Sequence, residues 1–86
     1  MNAQDHSKSI ELQIATPKGP FVGTFELTTK VAEVISTVRV KVGLAANAQL
    51  ELWFGDQRLD PEQRTLESFH LPNPAKLKLV ATGDGV

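Results

Sequence analysis

Apolar and polar residues alternate at every second position near both ends of this chain and fall at helical spacing in its middle. Ile10, Leu12 and Ile14 alternate with Glu11 and Gln13, which predicts a half-buried strand. Thr16-Pro17-Lys18-Gly19-Pro20 is a turn cluster, after which Phe21, Gly23, Phe25 and Leu27 share one face of a second strand. Together these predict an N-terminal hairpin. Val31, Val34, Ile35, Val38 and Val42 then line up as one helical stripe, with Thr28 or Thr29 placed to cap the start and Gly43 to close the end. The same window is rich in β-branched residues, and Val38-Arg39-Val40-Lys41-Val42 alternates as a strand would. Spacing over the whole window favours a helix from Thr29 to Val42, with Val40 off the buried stripe.

After Gly43-Leu44 comes a loop of small residues, Ala45-Ala46-Asn47. Leu50 and Leu52 then face one way, and Glu51 and Trp53 the other. Leu59 marks a very short strand, Asp60-Pro61 turns the chain, and Thr65 is placed to cap a short turn from Leu66 to Phe69. Pro72-Asn73-Pro74 ends that turn, and Leu77 and Leu79 alternate with Lys78 and Val80 in a last strand. The predicted order, ββαββ plus a final strand, is α+β: a mixed four- to five-stranded sheet packed on one helix. Residues 1–9 read as a disordered leader, 10–80 as the folded domain and 81–86 as a flexible tail.

Composition narrows the function. A chain of 86 residues holds one domain at most. Nine basic and ten acidic residues leave a net charge of −1, which gives no electrostatic footprint for nucleic acid or an anionic membrane. The absence of cysteine excludes disulfides, thiolate catalysis and cysteine metal sites. No apolar run approaches the roughly 20 residues of a membrane span. These features fit a soluble, monomeric, cytoplasmic protein. His6 lies in the leader and His70 beside a turn, and neither has a sequence neighbour for metal or general-base work. No Ser-His-Asp set, phosphate loop or dinucleotide fingerprint is present, so neither enzymatic activity nor a cofactor is expected.

The stretch Leu50 to Leu71, LELWFGDQRLDPEQRTLESFHL, carries more specific information. Leu52-Trp53-Phe54, Leu59-Asp60, Arg64-Thr65-Leu66, Phe69-His70-Leu71 and Leu77-Lys78-Leu79-Val80 follow one another in an order that resembles ubiquitin and its relatives. The likeness runs from about Ile10 to Val86 and is strongest from Leu50 onward. It implies a ubiquitin-like β-grasp and supports the helix through Val34, Val38, Gly43 and Leu44.

The resemblance also implies where such a protein acts. The family's recognition patch lies on the outer face of the sheet. By position, its members here are Trp53, Lys78 in place of a histidine, Val80, and Pro17 or Pro20 near the first hairpin. The two lysine positions most used for chain linkage correspond to Gln57 and a site near Asn73. The arginines of the ubiquitin tail correspond to Thr82 and Asp84, and the final Gly-Gly to Gly85-Val86, so a ubiquitin activating enzyme is not expected to accept this tail. Gly83, Gly85 and Val86 are the tail or conjugation candidates. The expectation is a non-catalytic ubiquitin-like protein that acts through a surface patch and a C-terminal tail, as a divergent small modifier. Its partners are then proteins, among them an activating enzyme, a conjugating enzyme or a JAMM-type protease. A non-covalent adaptor domain and a sulfur carrier are the alternatives.

Overall fold

Seven elements follow one another in the computed structural model, which describes residues 8–82. They are β1 (Ser9–Thr16), β2 (Gly19–Glu26), α1 (Val31–Val42), β3 (Gln49–Phe54), β4 (Gln57–Arg58), a 3-10 turn (Leu66–Phe69) and β5 (Ala75–Thr82). The strands form one five-stranded mixed sheet in the order β2-β1-β5-β3-β4. β1 pairs antiparallel with β2 and parallel with β5, whose other flank pairs antiparallel with β3. This is a ubiquitin-like β-grasp, with the sheet wrapped over α1.

Alternation along each strand sends one set of side chains under the sheet. Ile10, Leu12 and Ile14 of β1, Leu50 and Leu52 of β3, and Ala75, Leu77 and Leu79 of β5 are all buried there. α1 meets them with Val31, Val34, Ile35 and Val38, spaced so that they share one stripe. Leu59 and Leu66 complete the core, and no polar or charged residue is buried among the described residues. Val40 lies off the stripe at 77% exposed, so the strand-like alternation of Val38 to Val42 does not govern this segment.

The helix begins later than the apolar spacing predicts, and neither Thr28 nor Thr29 caps it. The N-cap is Lys30, in extended backbone, with no side-chain cap hydrogen bond. Its first free N–H groups are satisfied by distant carbonyls instead. Val31 N donates to Arg64 O at 3.0 Å and Ala32 N to Glu62 O at 3.0 Å. Leu66 N donates to Thr29 O at 2.9 Å, and Lys30 bridges Thr65. Residues 29–30 are held in this pairing and are not free to join the helix. Gly43 closes the other end as expected, in the left-handed region at φ 79°. Arg39, one turn earlier, sends Nη1 to the carbonyls of Ala45, Ala46 and Ala48 at 2.7–2.9 Å, which fixes the loop that delivers β3.

Other boundaries shift for similar reasons. The Thr16–Pro20 turn cluster contracts to Pro17 and Lys18, because Thr16 pairs with Gly19 and Ala15 with Pro20. Ser9 is the first residue of β1, opposite Glu26, and not part of a leader. Ala81 and Thr82 belong to β5, opposite Leu50 and Gln49, and not to a tail. Thr65 occupies the N-cap of the 3-10 turn without a side-chain cap bond, while the Ser68 hydroxyl donates to Thr65 O at 2.7 Å. Asn73 extends the β1–β5 ladder by side chain, with Oδ1 accepting from Glu11 N at 3.1 Å.

Val38→Asp is expected to unfold the protein, because Val38 is 0% exposed and a buried unpaired carboxylate costs several kcal/mol. That is comparable with the ~5–15 kcal/mol of a typical whole domain. Val40→Asp, at the exposed position, is expected to change stability by about 0.5 kcal/mol or less. Urea unfolding followed by circular dichroism separates the two.

Candidate protein-binding face

The face of the sheet opposite α1 is not used by the core. Register places its residues in rows that cross the strands. One row runs Pro20, Ala15, Lys78, Trp53, Arg58, from β2 through β1, β5 and β3 to β4. A second runs Val22, Gln13, Lys76. Val80 stands opposite Glu51, one step along β5 from Lys78 on the same face. Pro17, Ala15, Lys78 and Val80 line a shallow depression of about 360 Å³ beside the hairpin turn.

Trp53, Lys78, Val80 and Pro17 are thus neighbours, with Lys78 registered between Ala15 and Trp53. Pro20 lies in the same row at the β2 edge. Trp53 points to the outer face as its alternation with Leu50 and Leu52 implies, but it is half-buried and not open. It is flanked by Lys78 on β5 and Arg58 on β4, and its Nε1 donates to Glu51 Oε1 at 3.1 Å.

Glu51 in turn accepts from Arg58 Nη1 at 2.9 Å, and Arg58 Nη2 donates to Asp60 at 2.9 Å. The pKa of Arg58 is raised, chiefly by its hydrogen bond to Asp60 and then by the charges of Asp60 and Glu51. A raised pKa on a cation adds stability below its unfolded value and loses it only above its folded value. Both lie far above neutral, so Arg58 keeps its charge near pH 7. Its effect is to occupy the one polar atom of the indole and leave Trp53 presenting apolar surface.

Several residues of this face carried no functional weight in the sequence. Val22 is 62% exposed on β2. Lys76 is exposed, and Glu51 and Arg58 hold Trp53. Strand parity puts each on the outer face, but only the strand order shows which of them are neighbours. His70 is exposed and ends the 3-10 turn in left-handed backbone, φ 54°. Gln57 and Asn73, at the linkage positions, are exposed. His6 and the tail candidates Gly83, Gly85 and Val86 lie outside the described residues.

A larger groove of about 680 Å³ lies between α1 and the β3–β4 side, bordered by Ile35, Ser36, Arg39, Leu50 and Glu62. Among the described residues no three His, Cys, Asp or Glu side chains gather to hold a metal, and no helix is long and apolar enough to cross a membrane.

No protein-family model and no curated protein matches the sequence. Solved structures do match the fold. A de novo designed protein based on ubiquitin superposes with a TM-score of 0.74 at 21% identity, covering 92% of this chain and 98% of that one. The ubiquitin-like domain of an Arabidopsis thaliana protein gives 0.75 at 12% identity, covering 88% and 80%. One chain of a pParkin–pUb–UbcH7 complex gives 0.77 at 18% identity, covering 90% of this chain and 24% of that one. The likeness at these identities establishes the fold: the chain is a ubiquitin-like β-grasp.

Glu51→Ala is expected to release the indole, with a red-shifted Trp53 emission and stronger acrylamide quenching. Glu51→Gln keeps an oxygen acceptor and is expected to stay close to the parent. Unchanged quenching in Glu51→Ala would show that flanking side chains alone hold the ring.

Proposed function

We propose that this chain is a non-catalytic ubiquitin-like protein that binds other proteins through the outer face of its sheet, as a cytoplasmic monomer. The observation that carries this reading is the gathering of Trp53, Lys78, Val80 and Pro17 on a face the core leaves uncovered. An aromatic ring with aliphatic neighbours and a long cationic stem has the composition of a binding anchor. Trp53 costs little conformational entropy when it is covered, because Glu51 already restrains it. The pParkin–pUb–UbcH7 complex, one chain of which matches this fold over 24% of its length, supports the same direction.

The tail favours a second role for the same molecule. Gly83-Asp84-Gly85 offers small residues suited to a narrow enzyme channel. On this reading the chain is a divergent modifier whose Gly85 carboxylate is joined to a target after Val86 is removed, by an activating and a conjugating enzyme other than ubiquitin's. A JAMM-type protease would act on the same tail. The adaptor reading needs the face alone.

Trp53→Ala is expected to weaken partner binding by about 2 kcal/mol, roughly 30-fold, while leaving the domain folded. Calorimetric titration beside thermal unfolding measures both. Partner affinity that survives Trp53→Ala with the fold intact would rule out this face. Mass spectrometry of the protein from its own host separates the roles. Gly85 in isopeptide or ester linkage marks a modifier, and only intact unconjugated chains mark an adaptor.

A further inference from the structure

β3 is covered on one flank only for much of its length. β5 pairs with it from Gln49 to Trp53. On the other flank β4 pairs only with Trp53 and Phe54, and Leu59 N adds one bond to Leu52 O at 2.8 Å. Backbone groups two residues apart on a strand point the same way. Leu50 therefore turns its N–H and C=O to the side that Leu52 O uses, where no strand lies and no group among the described residues bonds them. This open stretch borders the groove of about 680 Å³ between α1 and β3. Ala32 and Ser36, one turn apart and both short, form the α1 wall, and Ile35 and Leu50 each show 5% of their surface. The two ends of the groove differ in charge. Ala32 N donates to Glu62 O, which places Glu62 with Asp60 and Glu51 at the β4 end, bordered by the cation Arg58. Arg58 is shared between Glu51 and Asp60, so Glu62 has no ion-pair partner among the described residues. Arg39 marks the opposite end, with Nη1 turned to the carbonyls of Ala45, Ala46 and Ala48.

We propose that the α1–β3 groove takes an extended protein segment, which adds to the free edge of β3 in line with β4. A small apolar side chain of the segment lies over Ile35, between Ala32 and Ser36, and a lysine or arginine points to Glu62. This site is separate from the outer face of the sheet and does not depend on it. An extended backbone carries alternate N–H and C=O groups that match those of Leu50, whereas a helix has already spent its own. Side chains of paired residues share a face, so the residue opposite Leu50 turns its side chain into the groove. Three carboxylates against one guanidinium at the β4 end select a cation there. A second copy could offer its own β3 edge. Its inward residues, Leu50 and Leu52, are buried in its own core and would leave the groove empty. Nucleic acid would meet the same three carboxylates.

The test titrates the isotope-labelled full chain by NMR with end-capped synthetic peptides of alternating Val and Thr. Each carries Lys, Gln or Glu at its first or its last position, so that both strand directions are sampled. The better Lys peptide is expected to shift the amides of Ala32, Ser36 and Leu50 and to slow hydrogen exchange at Leu50 N–H, leaving Lys78 and Val80 unmoved. It should bind roughly threefold to tenfold tighter than its Glu counterpart, an advantage lost at high salt. N-methylation of alternate residues, in the register that faces β3, is expected to weaken binding about tenfold. Ser36→Leu fills the groove from an exposed position and is expected to abolish the shifts with thermal unfolding unchanged. Binding that survives N-methylation in both registers would overturn strand addition, and equal affinity for the Lys and Glu peptides would overturn the choice of a cationic partner. Shifts at Leu50 that grow with protein concentration alone would assign the edge to a second copy. No shift in the groove with any peptide would overturn the site, whatever Trp53→Ala shows for the outer face.

Discussion

The packing of α1 against one face of the sheet is the contact on which everything else depends. Val31, Val34, Ile35 and Val38 meet Leu12, Ile14, Leu52, Leu77 and Leu79 in a core with no buried polar residue among those described. Because strand side chains alternate, burying this set sends its complement to the opposite side. The outer face is thus a by-product of the core. Leu52 cannot be buried in β3 without turning Trp53 outward, nor Leu77 and Leu79 in β5 without turning out Lys78.

What the outer face then presents depends on strand order. β1 and β5 lie at the centre of the sheet, so residues from the two ends of the chain meet there. Ala15 stands beside Lys78, and Lys78 beside Trp53, across more than sixty positions of sequence at the first junction. Nothing polar on this face is wasted on the indole alone, because Glu51 serves Trp53 and Arg58 together. Lys78, with no ion-pair partner among the described residues, distinguishes this surface from a purely apolar patch.

Local patterns made the element types and the facing of side chains readable. The stripe from Val31 to Val38, the exposure of Val40 and the outward turn of Trp53 all follow from periodicity. What stayed hidden was settled by distant backbone. The helix start is set by the carbonyls of Glu62 and Arg64, which no local pattern at Thr28 or Thr29 could announce. Ala81 and Thr82 join β5 through their pairing with Leu50 and Gln49, so the strand continues where the apolar alternation has already stopped. For the same reason Val22 could not be placed beside Lys76, since the two share a row only through Gln13 on the intervening strand.

The central claim, that one face of the sheet is consumed by α1 and the other is free, is tested most directly by solvent paramagnetic relaxation with a neutral gadolinium chelate. Strong attenuation is predicted at Val22, Lys76 and Lys78, with an intermediate effect at the Trp53 indole and Val80, and little at the side chains of Leu12, Leu52, Leu77 and Val38. Protection of Lys76, Lys78 and the indole to the level of Leu52 would mean that something covers the outer face, and would contradict the account.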